Sequence, residues 1–410
     1  MATFCGQTVF APSHANLTSG GVFRLSRAPD SPVMEHLPGG AAMSLVPGFP
    51  YVIATAPATT SQVDALSGAI RVAQQGLDLA SIQGLGDFWL PDVQDWHITW
   101  WQGPAGVSMR FIEVSSFGIT MKTDLTVFDN MGRQKPDPPK PRHAWDESFR
   151  YFRLAQTTED LFDAYRNMYL GLESLLYDID PIQLNIRGKQ GESEKEWFIR
   201  ALRKLGLPSM TEFAPPRIAN PNEEDIYNDL YKDMRTALFH SKRTWAHYIP
   251  HEPLDRAKVQ QSYARLAKLY LAVVQSSLQV TRRSGGATEA GFQELTKSMD
   301  NNPAMYVSPD CTPENQLEDQ FFSASFALLP TRRARELDGQ FIKYVVGHDS
   351  SSNLVGLSGI RQIVLFVDPD IPLLESTLEG LLTLEGVAQF EAHLPLRMKQ
   401  PQLPKQFYSG

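Results

Sequence analysis

Thr157-Thr158-Glu159-Asp160-Leu161-Phe162-Asp163-Ala164-Tyr165-Arg166-Asn167-Met168-Tyr169-Leu170-Gly171-Leu172-Glu173-Ser174-Leu175-Leu176-Tyr177-Asp178-Ile179-Asp180 is the stretch on which the fold turns. Leu161, Tyr165, Met168, Leu172, Leu175 and Ile179 recur at steps of three and four, which is one buried face of a long helix. Thr157 is read as its cap, with Asp160 at the third position, and Asp180-Pro181 as its stop. Ser193-Glu194-Lys195-Glu196 has the form of a capping box, followed by Trp197, Phe198, Ala201, Leu202 and Leu205 and stopped by Gly206 and Pro208. A third helix is predicted from Asn220-Pro221, with Ile226, Leu230, Met234 and Leu238 inward. A fourth is predicted over 255–282, with Val259, Tyr263, Leu266, Tyr270, Val273 and Val274 inward. Four amphipathic helices joined by modest loops predict a bundle.

Outward from this helical stretch the period changes. Residues 131–143 hold four prolines, and proline fixes φ and removes a donor, so 131–144 reads as a stiff linker. Before it, Tyr51 to Thr55, Trp96 to Trp101, Val107 to Val114 and Ile119 to Phe128 read as strands, and residues 64–80 as a helix. Residues 1–45 show no sustained period and read as partly ordered loop. After the helices, Phe321 to Leu329, Gln340 to Val346 and Ile363 to Val367 read as strands, Leu373 to Leu384 as a helix, and the tail after Arg397 as frayed.

The chain has 410 residues and a formal charge of -8. Two cysteines, Cys5 and Cys311, exclude a disulfide-rich scaffold and a cysteine zinc cluster. No secretory leader and no apolar run of membrane length is visible, so the expectation is a cytoplasmic protein without a membrane span. The charge is uneven. Residues 145–285 carry 20 basic and 19 acidic side chains, whereas residues 286–410 carry 9 and 16. Net acidity disfavours coating of duplex DNA, yet the helical third is where an anionic substrate is expected to bind.

The third helix ends in Tyr231-Lys232-Asp233-Met234-Arg235-Thr236-Ala237-Leu238-Phe239-His240-Ser241-Lys242. Arg235 can grip a phosphate with two donors, and His240 titrates near neutral pH and can pass protons. Together they suit attack of a ribose 2′-OH on the adjacent phosphate, a reaction that needs no metal if Arg neutralises the developing charge. Five residues along an α-helix turn about 500°, leaving about 140° between these side chains. Fraying at the helix end, or juxtaposition of two copies, would have to assemble the site. Asp233 and Thr236 instead share a face with His240 and could orient it. Lys242, Arg243 and Trp245 follow as a small basic and aromatic cluster suited to phosphate contact and base stacking. The bland reading is a helix-end cation beside a surface Arg.

Arg235-Thr236-Ala237-Leu238-Phe239-His240 resembles the Arg, four to six residues, His motif of HEPN domains, and the helix ending in Leu172-Glu173-Ser174-Leu175-Leu176 is similar to that of the ApeA-type HEPN group. The resemblance covers about 140 residues. It implies an α-helical bundle that pairs two protomers and cleaves RNA without metal, often in toxin or antiviral defence, with Glu173 supporting the Arg and His. Thr236 departs from the polar residue, usually Asn, Asp or His, that follows the Arg in active members. The expected fold is multidomain α+β. A central all-α HEPN-like bundle (145–285) is flanked by a β-rich N-terminal domain (1–130) and a small acidic α/β C-terminal domain (286–410). The expected function is a HEPN-type endoribonuclease acting on single-stranded RNA as a homodimer. Arg235, His240, Glu173 and Asp233 are its catalytic set, Thr236, Lys242, Arg243 and Trp245 contact substrate, and no cofactor or metal takes part. A regulatory protein partner would act through the flanks. The competing reading is a catalytically inactive HEPN-like dimerisation or scaffold protein that binds a protein or small-ligand partner. His247 and His251, with Pro250 between them, are discounted as metal ligands, and no Gly-rich phosphate loop is present.

Overall fold

The structure is a computed structural model. It describes residues 1–10, 18–91, 93–118, 126, 128–135, 144–188, 191–239, 247–250, 252–280, 288–310, 327–332, 334–337, 341–350, 354, 357–368 and 371–399. The chain divides into two units. One is built from Met1–Phe117 and Ala287–Lys399, the other from Gly118–Gly286.

The first unit carries strands β1 (Ala2–Phe4), β2 (Gln7–Phe10), β3 (Thr18–Arg24), β4 (Val33–Leu37), β5 (Ala41–Leu45) and β6 (Tyr51–Pro57), helix α1 (Gln62–Ile82), then β7 (Trp96–Gly103), β8 (Gly106–Glu113) and β9 (Ser115–Phe117). The second unit contributes α2 (Ser148–Thr157), α3 (Leu161–Ile179), α4 (Glu194–Leu205), α5 (Glu223–Tyr227), a π-helical segment Asn228–Arg235, α6 (Thr236–Phe239) and α7 (Pro253–Leu278). The chain then returns to the first unit with α8 (Glu289–Leu295), β10 (Ala304–Ser308), β11 (Ala327–Leu329), β12 (Arg335–Leu337), β13 (Ile342–Ser350), β14 (Ile360–Asp368), β15 (Ile371–Leu382) and β16 (Val387–Met398).

In the first unit a six-stranded sheet runs β11-β10-β14-β15-β1-β2, and a ten-stranded sheet runs β12-β13-β16-β8-β7-β3-β6-β5-β4, with β9 also on β16. Strand alternation sets its layers, because successive side chains point to opposite faces. Val22, Tyr51, Ile53, Trp96, Ile98 and Trp100 join a core shared with the six-stranded sheet, where Phe4, Ile363, Leu365 and Leu378 sit. Their neighbours Phe23, Val52, Ala54 and Ala56 join a second core under α1 with Ala69, Ile70, Ala73 and Leu77. Gly20 permits this packing: a Cβ there would lie 2.3 Å from the Trp100 ring.

The expectation of a central all-α bundle flanked by separate terminal domains is therefore corrected. Sheets of six and ten strands dominate the molecule, and the two ends of the chain complete one another within them. β1 pairs antiparallel with β15, and β8 pairs parallel with β16. Each sheet takes strands from both flanks, which cluster into one unit, and the helices are an insertion between β9 and α8. Residues 1–45, read as loop, hold β1 to β5. Leu373 to Leu384, read as helix, lies largely in β15, whose buried residues Leu374, Ser376, Leu378, Gly380 and Leu382 alternate with period two.

The helical unit has its own core of Leu161, Tyr165, Met168, Leu172 and Leu175 from α3, Trp197, Phe198 and Leu202 from α4, and Val259, Tyr263, Leu266, Tyr270 and Val273 from α7. Caps fix the helix ends. Asp160, not Thr157, caps α3, accepting from the Asp163 amide, because α2 runs through Thr157. Ser193 and Glu196 form the predicted capping box, and Gly206 closes α4 in the left-handed conformation that glycine tolerates. Asn222, two residues beyond the expected Asn220, caps α5 with Asp225 closing the box. Phe152 of α2 stacks on Tyr270 of α7 at 5.2 Å, and the Tyr263 hydroxyl donates to the Ala155 carbonyl at 3.1 Å.

Candidate functional site

The segment read as an ordinary third helix widens into a π-helix between Asn228 and Arg235. The Thr236 amide donates to the Tyr231 carbonyl, five residues back, and the Thr236 hydroxyl donates to the same oxygen at 3.1 Å. Such widened turns are rare and occur frequently at functional sites. This one is held from outside. The buried Tyr165 hydroxyl of α3 donates to the Leu230 carbonyl at 3.2 Å, and Arg265 of α7 grips Asp229 with two bonds of 3.0 and 2.9 Å. The widened segment presents two faces. Tyr227, Tyr231 and Arg235, four apart, lie on one; Asp229, Lys232, Asp233 and Thr236 lie on the other.

On the first face Arg235 is half-buried among aromatic rings. Its guanidinium sits 4.8 Å from the centre of Tyr231, 5.3 Å from Phe239 and 5.9 Å from Tyr169, and it donates to the Tyr231 hydroxyl at 3.3 Å. Tyr227 stacks on Tyr231 at 4.8 Å. The Nε of Arg235 is buried without a hydrogen-bond partner. A second guanidinium, Arg166 of α3, lies 5.5 Å over the same Phe239 ring, bonds Asp163 at 2.7 Å and caps the Leu238 carbonyl at 2.8 Å.

Glu173 faces this patch from α3. Burial pushes its carboxyl above the ordinary range, the Arg235 charge draws it back down, and Glu194 pushes it up again. No ion pair joins Glu173 to Arg235 among the described residues, so the guanidinium keeps donors for another acceptor. Burial, aided by Glu173, also drives the Tyr169 hydroxyl well above its usual range. Two arginines, a desolvated carboxyl and a partly exposed ring suit a phosphate and a stacked base.

Asp233 and Thr236 lie elsewhere. They line an open cleft of about 800 Å³ with Lys232, Lys258 and Arg265, which includes neither Arg235 nor Glu173. The structure thus brings Arg235 and Glu173 together and separates them from Asp233 and Thr236. His240, Lys242, Arg243 and Trp245 lie outside the described residues.

Sequence reasoning passed over Tyr169, Tyr231 and Phe239 as site residues, because an aromatic residue at helical spacing reads as core. It also passed over the Asp229–Arg265 pair, which joins residues 36 positions apart. Exposure of Phe239 at 41% beside a cation is the signal that marks the patch. No family model, no curated protein and no solved structure matches this chain.

Proposed function

We propose that the chain is a metal-independent endoribonuclease of HEPN type, acting in the cytoplasm on single-stranded RNA through Arg235 and His240. The observation that carries this reading is the half-buried Arg235, held by three aromatic rings and without a carboxylate partner among the described residues, beside the desolvated Glu173. In the reaction the 2′-oxygen forms a bond to the adjacent phosphorus and the bond to the 5′-oxygen breaks, leaving a 2′,3′-cyclic phosphate. Arg235 stabilises the charge on the phosphorane oxygens, which is the kind of electrostatic stabilisation that counts most in a water-poor site. His240 takes the proton from the 2′-hydroxyl or delivers one to the leaving oxygen. Glu173 positions Arg235, and Arg166 and Phe239 hold the neighbouring nucleotide. Two protomers pairing their motifs would complete the cleft, and a toxin or antiviral role would follow from cleavage of cellular RNA.

Purified full-length protein incubated with single-stranded RNA in EDTA is expected to yield 2′,3′-cyclic phosphate ends. Arg235→Ala and His240→Ala are each expected to lower the rate by about 100-fold or more while the fold is retained. Undiminished cleavage in both variants would remove the site. The three aromatic contacts of Arg235 favour one other reading, a non-catalytic module in which this arginine only packs. That reading predicts no cleavage at any protein concentration.

A further inference from the structure

The other face of the π-helical segment carries a cleft that the RNA-cleavage reading does not use. One wall is α7, where Lys258, Gln261 and Arg265 fall at spacings of three and four and so share a face. The facing wall is Lys232, Asp233 and Thr236, and a third is Pro215-Pro216-Arg217. Tyr248 closes one side, with the Lys258 ammonium 5.5 Å over its ring. The volume, about 800 Å³, lies within the range of about 300–1,000 Å³ typical of small-molecule sites.

The charges in this cleft are not balanced. Arg265 and Asp229 neutralise each other at its floor through their two-bond pair. Lys232 and Arg217 are exposed and have no ion-pair partner among the described residues. Lys258 keeps Asp255 only at 3.7 Å, since that carboxylate also accepts from the Ile249 amide at 3.1 Å. Lys232, Lys258 and Arg217 thus line the cleft with Asp233, and Asp255 stays within reach of Lys258 and Tyr248, so the cations outnumber the carboxylates left to them by one. The apolar lining is Pro215, Pro216, Met234, Ala237 and Tyr248, which suits a planar ring, and Gln261 and Asp233 offer donors and acceptors for its edge or for a ribose.

We infer that this cleft binds a phosphate-bearing ligand of mononucleotide size, with Lys232, Lys258 and Arg217 on the phosphates and Tyr248 against the base. The π-helical widening has a role in this assignment. It is the backbone device that carries Lys232 and Thr236 toward α7 while Arg235 stays on the opposite face.

The test is calorimetric titration of the full-length protein, at low salt, with ATP and separately with inorganic pyrophosphate. Saturable binding of both is expected, ATP being tighter because the ring contacts add to the phosphate contacts. The double variant Lys232→Gln with Lys258→Gln is expected to weaken ATP binding by about tenfold or more while its circular dichroism spectrum shows the fold retained, since both side chains are exposed. Arg235→Ala is expected to leave ATP binding intact, which separates this cleft from the nuclease reading whatever the fate of that reading. Absence of saturable binding, binding undiminished in the double variant, or loss of binding in Arg235→Ala would each overturn the assignment. Equal affinity for ATP and pyrophosphate would overturn the placement of the base on Tyr248.

Discussion

Arg265 and Arg235 face opposite sides of the same helical segment and have opposite surroundings. Arg265 meets a buried carboxylate with two bonds and is locked. Arg235 meets aromatic faces and one long bond to a phenol, and among the described residues it has no carboxylate and its Nε no partner. A buried charge pair holds structure in place because removing either member strands the other. A cation resting on rings is held in position with its donors uncommitted. The contrast separates an arginine that keeps the fold from one that is available to a ligand.

The largest expected break in this contrast is Arg265→Met. It leaves Asp229 buried without its counter-ion, and a loss of about 3–5 kcal/mol in urea unfolding is expected. Similar losses from Arg265→Met and Arg235→Met would remove the distinction.

The sheet unit holds a similar contrast, among the described residues, between a buried group without a charged partner and one that is paired. His97 of β7 donates from Nδ1 to the Val93 carbonyl at 2.9 Å and keeps a buried, unpartnered Nε2; burial lowers its pKa to about 4. On the same sheet Glu391 is held down to about 2, first by its bond to His393 and further by Arg110 at 2.7 Å, in spite of its burial. His97 stays neutral in the folded chain while the unfolded chain takes up a proton below pH 6.5. Its contribution is present above that pH and is lost as pH falls toward 4, by up to about 3 kcal/mol. His97→Phe is expected to flatten the dependence of the unfolding midpoint over that window. An unchanged slope would place the effect on other groups.

Smaller effects sharpen the two faces. Arg235→Met and Tyr165→Phe should each cost about 1 kcal/mol, the first in ring contacts and the second in the bond to the Leu230 carbonyl. Smallest in stability is Glu173→Gln. A carboxyl raised by burial destabilises the folded state when it is charged, and that penalty disappears as pH falls through its folded pKa. The amide should therefore raise the melting temperature slightly at pH 7 while slowing RNA cleavage. A lower melting temperature would show that the Glu173 charge holds Arg235 in place.

The helical faces were legible because period and burial agree there: every apolar position predicted inward on α3 from Leu161 to Leu175 is buried. Strands β6, β7 and β8 were legible from β-branched and aromatic runs. β15 was not, because Ser376 and Gly380 occupy buried positions and hide the alternation, leaving leucines at helix-like steps. The joining of the two ends was also illegible, since pairing of β8 with β16 has no local signature. At the site, helical spacing set Arg235 apart from His240 and put Glu173 on a second stripe of α3 with Arg166, while the supporting role of Glu173 came from the resemblance. The π-helical turn that sorts these residues depends on Tyr165 and Arg265, both outside the segment.

The parallel pairing of β8 with β16 also has a consequence in time. Arg110 waits for Glu391 across 281 positions. At synthesis rates of about 5–20 residues per second, roughly 15–60 s separate their emergence from the ribosome. Within that interval the helical unit is complete and can close its own core, while β8, already paired with β7 on one edge, lacks its β16 neighbour on the other. The helical unit is thus complete in the growing chain before the sheet unit that flanks it in the sequence, and a chain truncated ahead of β16 would keep the helical core while leaving the ten-stranded sheet unfinished.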